Sequence, residues 1–217
     1  MVPMAQWSTF VSDGVLALAC AVCAVLALRQ QSRRAAIEQP LWFCVFLAFA
    51  LTASAATLGA LRYGPQLPVQ AAHSWLSQAS SLLGLPLLGL AALVLARGWR
   101  WEKSSWGRAI LGLCAFFELA RQAGVFEHYR LLLNLLTLGL LLYAALLHGR
   151  DKALLGAALG CAGLLSVAGL WIGTQGTFGP FYSVDVFHAL LTLAYPLWLW
   201  VLLRLPALPA AELSPTD

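Results

Sequence analysis

Apolar residues in this chain do not alternate with polar ones at the period of a strand. Nor do they form the one-sided stripe of a helix on a water-facing core. They run on in blocks, separated by short polar stretches. An α-helix rises about 1.5 Å per residue, so roughly 20 apolar residues carry it across the hydrocarbon layer of a bilayer. The blocks predict spans at Phe10–Leu28, Leu41–Leu61, Ser74–Ala96, Trp106–Phe126, Tyr129–Leu147, Ala153–Ile172 and Asp185–Leu205. The expected fold class is all-α, a bundle of seven transmembrane helices. It forms one domain over residues 1–205, with a short tail at 206–217. Only a tight turn divides the fourth and fifth spans, which predicts a helical hairpin. Pro86 and Pro196 should bend the third and seventh helices, because proline removes a backbone donor. Gly84 beside Pro86 makes the third the more irregular of the two.

Composition sharpens this picture. Of 217 residues, 61% are hydrophobic and only 10% charged, and the mean hydropathy is +0.80. Soluble domains are about 25% charged, so this chain lacks the polar surface to face water on all sides. The seven spans leave no length for a separate soluble domain. The formal charge of +4 does not indicate nucleic-acid binding, because the charges lie in short loops between apolar blocks.

That distribution predicts orientation. Of 13 Lys and Arg residues, Arg62, Arg121 and Arg130 fall on one side of the predicted spans. The other ten fall on the opposite side, which the positive-inside rule makes cytoplasmic. The N-terminus is then outside and the C-terminus inside. Met1–Ser8 carries no Lys or Arg, and no small-residue cleavage site follows the first block, so no cleaved signal peptide is expected. Tryptophans cluster near the predicted boundaries, where amphipathic rings are favoured. The apolar tail Leu205–Ala211 is expected to be disordered or to lie at the interface.

Polar residues inside the spans concentrate in the outer half, and every acidic residue within a span falls there. They include Ser12 and Asp13 in the first span, Arg62 and Tyr63 at the end of the second, and His73, Ser77 and Ser81 in the third. Glu118 and Arg121 close the fourth, and Asp185 and His188 open the seventh. Ionisable groups in hydrocarbon cost several kcal/mol unless paired or hydrated, so they tend to mark function. The asymmetry predicts a polar cavity open to the outer face above an apolar floor. A transport path would need polar groups at all depths, which ranks a transporter lower.

Asp185, His188, Thr192 and Tyr195 follow 3-4-3 spacing and share one helical face. Asp185 and His188 suit tautomer control or metal ligation. A plainer alternative is that Asp13 and Asp185 cap helix N-termini, with His188 bonded to the nearby acid. Glu118 and Arg121, three residues apart, suit an ion pair locking the fourth helix to a neighbour. Ser74, Ser77 and Ser81 share a face and suit contacts between helices. Cys20 and Cys23 form Cys-x-x-Cys inside an apolar block, where packing is the ordinary role. No cysteine falls in an outer loop, so no disulfide is expected.

The run Ser183-Val184-Asp185-Val186-Phe187-His188 resembles the last-helix motif of a family of bacterial seven-helix membrane proteins of unknown function. Gly59-Ala60-Leu61-Arg62-Tyr63-Gly64 aligns with its second-helix motif, and Ser12-Asp13 fits its first helix. The layout more distantly resembles the superfamily of alkaline ceramidases and progestin–adiponectin receptors. That resemblance implies a bacterial cytoplasmic (inner) membrane location. It also implies a zinc ion held by histidines of the second and seventh helices, hydrolysing a lipid amide through a metal-activated water. His188 and Asp185 match the family's last-helix histidine and acid. Tyr63 and Ser183 stand where the family has two further histidines. His188, Asp185 and His73 are the metal-ligand candidates, and Asp185, His188 and Asp13 the catalytic ones. Tyr63, His73, Ser77, Ser81, Glu118, Arg121, Thr192 and Tyr195 are expected to line the pocket. The leading expectation is a non-catalytic protein whose pocket binds a lipid or small molecule, or which scaffolds a partner. A zinc-dependent membrane hydrolase is the alternative. Membrane lipids are the expected partners.

Overall fold

The computed structural model describes residues 6–206. The tail expected to be disordered or interfacial lies almost wholly outside the described residues. Seven long helices are described: α1 Trp7–Arg33, α2 Gln39–Tyr63, α3 Gln70–Arg97, α4 Lys103–Gln122, α5 Phe126–Leu147, α6 Lys152–Ile172 and α7 Ser183–Arg204. A two-stranded antiparallel hairpin, β1 Thr177–Phe178 and β2 Phe181–Tyr182, precedes α7. Six of the helices, all but α4, are long and apolar enough to cross a membrane. This is the build of an integral membrane protein. Lys103, Arg108, Glu118 and Arg121 interrupt the apolar character of α4.

α1 shows why the chain cannot be a water-soluble bundle. One face is buried at Asp13, Leu16, Cys20, Ala24 and Ala27. The opposite face exposes Val11, Val15, Leu18 and Val22. A helix that is apolar all round needs an apolar solvent outside. All five cysteines are free, and Cys20 and Cys23 are buried in the core.

Short connections force sequential helices to run antiparallel. α1 packs along α2 and against α7, α7 packs on α6, and α3 lies between α2 and α5. α4 touches its neighbours sparingly and buries only Trp106 and Ala120. The expected α4–α5 hairpin turns at Gly124, whose φ of 70° favours glycine.

The two halves of the bundle are filled differently. Trp42, Phe49, Leu87, Leu88, Leu95, Leu141, Leu154, Trp198 and Leu202 are fully buried. They make a solid core toward the end where α1 and α7 finish. At the Asp13 end the helices separate around a cavity.

α3 is irregular where the sequence suggested. A wide π turn occupies Ser80–Gly84, and Leu85 N–H bonds back to Ser80 C=O. Pro86 follows at once. It has no N–H, and its ring crowds the carbonyl four residues back, so the helix ahead of it loosens. Gly84 lies against the α2 backbone: a Cβ there would sit 3.4 Å from Ala48 C=O.

Candidate functional site: a polar cavity beside a buried acid–histidine cluster

α1 and α2 are held together at the Asp13 end by Gln6 N–H donating to Tyr63 C=O at 3.2 Å. Two glycines of α2 let α1 come close. Phe10 rests against Gly64, and the Asp13 carboxyl rests against Gly59. α7 closes on the other side of α1, so residues about 175 positions apart meet.

The meeting point is compact. Ser12 Oγ lies 3.1 Å from Asp185 Oδ1 and 3.3 Å from His188 Nδ1. His188 Nδ1 lies 3.4 Å from Asp13 Oδ1. Asp13 is 1% exposed, and neither carboxyl oxygen accepts a hydrogen bond from the described residues. Buried polar groups are nearly always bonded, so this acid is an exception that requires an explanation.

Neither acid caps its helix. α1 and α7 have no side-chain cap hydrogen bond. Asp13 lies well inside α1, beyond the reach of the free N–H groups of its first turn. Asp185 is in the first turn of α7, and its carboxylate accepts from Ser12.

The cluster has one hydroxyl hydrogen for several acceptors. Ser12 also has the Thr9 carbonyl at 3.1 Å, and it donates to one acceptor at a time. With that hydrogen on Asp185, His188 Nδ1 carries its own hydrogen and turns it toward Ser12 Oγ. Nε2 is then the acceptor nitrogen. His188 lines the cavity. This is not a Ser-His-Asp relay, in which serine and aspartate address opposite ring nitrogens. Here both address Nδ1.

The cavity holds about 1090 Å³, the upper end of the range for small-molecule sites. Every long helix except α4 contributes to its wall. Asp13, Tyr63, His73, Ser77, Ser81, His188 and Tyr195 all line it. Asp185 touches the cluster from behind, and the Thr192 hydroxyl is spent on the His188 carbonyl at 2.8 Å; neither lines the cavity. Tyr195 lies against Thr52 and Ser80, whose hydroxyls are 2.6 Å apart. Ser81 receives Asn134 Nδ2 at 3.4 Å. His73 is fixed by Nδ1 2.9 Å from the Ala55 carbonyl.

Glu118 and Arg121 are elsewhere. They pair at 2.6 and 2.7 Å, Gln122 adds a bond to Glu118 at 2.8 Å, and α4 carries them on an accessible face. Each satisfies the other, so nothing draws them into the cavity, and the pair does not lock α4 to a neighbour.

The chain matches no protein-family model, no curated protein and no solved structure.

Several residues of the zinc site implied by the sequence resemblance have other partners here. His188 directs Nδ1 to Ser12 and Asp13, His73 directs Nδ1 to a backbone carbonyl, and Tyr63 and Ser183 supply no imidazole. Among the described residues no three His, Cys, Asp or Glu side chains are grouped to hold a metal ion.

Three features of the site were not singled out from sequence. Gly59 makes room for Asp13. Thr52 and Ser80 form a buried hydroxyl pair. Arg62 lines the cavity wall. Thr52 and Arg62 carried a signal, since each interrupts an apolar block near a span end or middle.

Proposed function

We propose that the chain is a seven-helix integral membrane protein of a bacterial cytoplasmic membrane, with its N-terminus and cavity facing outward. In this reading it is a binding protein for a membrane amphiphile. The observation that carries the reading is the cavity itself: large, walled by six helices, and lined by polar side chains together with leucines of α5, α6 and α7.

The seam between α5 and α6 supports a ligand from the bilayer. These helices pack together, while the last turns of α6, Val167–Ile172, pack on α7. Leu131 and Leu135 of α5 and Leu170 of α6 line the cavity and are exposed. Exposed apolar lining of this kind suits the rim of an opening. Its apolar edge suits an acyl chain sliding in from hydrocarbon, which a water-soluble ligand would not need.

Lipid-amide hydrolysis is the second reading. The observation favouring it is His188 on the cavity wall with its Nδ1 3.4 Å from a buried acid, which suits a general base. It does not rest on a zinc ion, since among the described residues no three ligand side chains are grouped for one.

Purified protein in vesicles containing a diazirine-bearing phosphatidylcholine tests the binding reading. Light should attach the lipid chain to Leu138, Leu165 and Leu191, and excess unlabelled lipid should suppress this. Attachment confined to outward-facing residues such as Leu18 and Leu111 would contradict it. Release of fatty acid from a ceramide by wild type, absent in His188→Ala, would favour hydrolysis instead.

A further inference from the structure

One cation of the cavity wall makes no ion pair among the described residues, and this bears on the chemistry of the ligand headgroup. Three arginines belong to the Asp13 end: Arg62, Arg121 and Arg130. Arg121 is neutralised by Glu118, and Arg130 by Glu127 at 2.5 Å. Arg62 has no carboxylate within ion-pair distance among the described residues. Its guanidinium lies 4.6 Å from the ring centre of its own neighbour Tyr63, and both residues line the cavity.

Asp13 does not discharge it. The field of Arg62 reaches that carboxyl, but both Asp13 oxygens remain without a hydrogen bond. The same wall near Arg62 carries neutral donors, Gln70, Ser74 and Ser77 of α3. An arginine presents a rigid fork of donors that matches carboxylate and phosphate oxygens. Here the fork borders a partly open space whose lining also includes Leu131, Leu135, Leu138 and Leu191.

We propose that the ligand is an anionic amphiphile, with its carboxylate or phosphate held by Arg62 at the mouth and its chain lying along Leu131, Leu135, Leu138 and Leu191. This rests on the binding reading above and adds the sign of the headgroup.

The test uses full-length protein in phosphatidylcholine nanodiscs and spin-labelled probes read by electron paramagnetic resonance. The probes are phosphatidylglycerol, stearic acid at pH 8, methyl stearate and phosphatidylcholine. Wild type should immobilise at least one anionic probe about tenfold more than its neutral counterpart, as a charge-assisted hydrogen bond gives. Whichever probe is retained, the phospholipid or the free acid, names the source of the anion. Arg62→Gln should lose that preference yet still immobilise methyl stearate. Arg62→Lys should keep it, and Arg108→Gln, at the opposite end, should not change it. Equal retention of methyl stearate and both anions by wild type, or an anionic preference that survives Arg62→Gln, would overturn the headgroup assignment and leave the binding reading standing. No immobilised component beyond the boundary lipid for any of the four probes, phosphatidylcholine included, would overturn both.

Discussion

The carboxyl group of Asp13 occupies the space that a side chain on Gly59 would need. A Cβ at that glycine would lie 2.5 Å from Asp13 Oδ2 and 2.7 Å from Cγ. The contact joins α1 to α2 at the level of the cluster, and it sets where the acid stands relative to His188.

Gly59→Ala should therefore act through Asp13. The added methyl has no room, so either α1 shifts or the acid rotates away from His188. Overpacking of this kind costs about 1–3 kcal/mol. Thermal unfolding in detergent should show a lower midpoint for Gly59→Ala. Gly156→Ala, where a Cβ meets nothing within 4 Å, should leave it unchanged or slightly raised.

Asp13 itself is a stability cost retained for another reason. Its oxygens are buried without a donor, and an unpaired buried charge is expensive. Asp13→Asn removes the charge and keeps the shape, so its unfolding midpoint at pH 7 should equal or exceed that of wild type. If the acid serves the ligand, the same variant should bind amphiphile less well. A clear loss of stability would mean that Asp13 has a structural partner.

Asp151 ties the other end of the bundle. It accepts from the N–H groups of Ala153 and Leu154 at 3.1 Å, capping α6, and from Arg204 of α7 at 2.8 Å. The Arg204 guanidinium and these backbone donors hold its carboxyl below the usual carboxylate range. A depressed acid contributes stability above its unfolded pKa, about 3.9, which is lost as pH falls through the lower folded value. At pH 7 the unfolding midpoints should rank wild type, Asp151→Asn, Asp151→Ala, since Asn keeps the cap and loses the charge. Below the folded pKa the gap between wild type and Asp151→Asn should close. A gap independent of pH would contradict the assignment.

Orientation is checked with cysteines placed at the two ends. In a Cys114→Ala background, Gln175→Cys should react with a membrane-impermeant maleimide on intact cells. Arg100→Cys should react only after permeabilisation. The reverse pattern would turn the cavity toward the cytoplasm.

Much of the fold was legible because hydrocarbon imposes a simple rule: long apolar blocks become long helices. Block positions follow from composition, so the ends in the structure lie near those expected. The pairing of Asp13 with Asp185 and His188 was legible for a related reason, since polar groups at the same depth in a bilayer have few places to go but toward one another. Depth, however, does not specify the face of a helix. Glu118 and Arg121 stood at the right level and turned outward, because an acid and a base one turn apart satisfy each other without neighbours. The capping expectation for Asp13 failed because α1 begins at Trp7, nearly two turns earlier. Gly59 was visible as a small residue, but its role depends on which atom faces it. The hydroxyl pair of Thr52 and Ser80 depends on the π turn, which sets the angle of Ser80.

The most direct test of the central claim is the mass of the intact protein released from native membranes into mild detergent in the spectrometer, wild type beside Ser77→Trp. Ser77 lines the cavity, and an indole there would obstruct its polar side. The binding account expects a wild-type population carrying about one amphiphile per chain, resistant to detergent exchange and absent from a folded Ser77→Trp. Bare wild-type protein, or the same adduct on both, would contradict it.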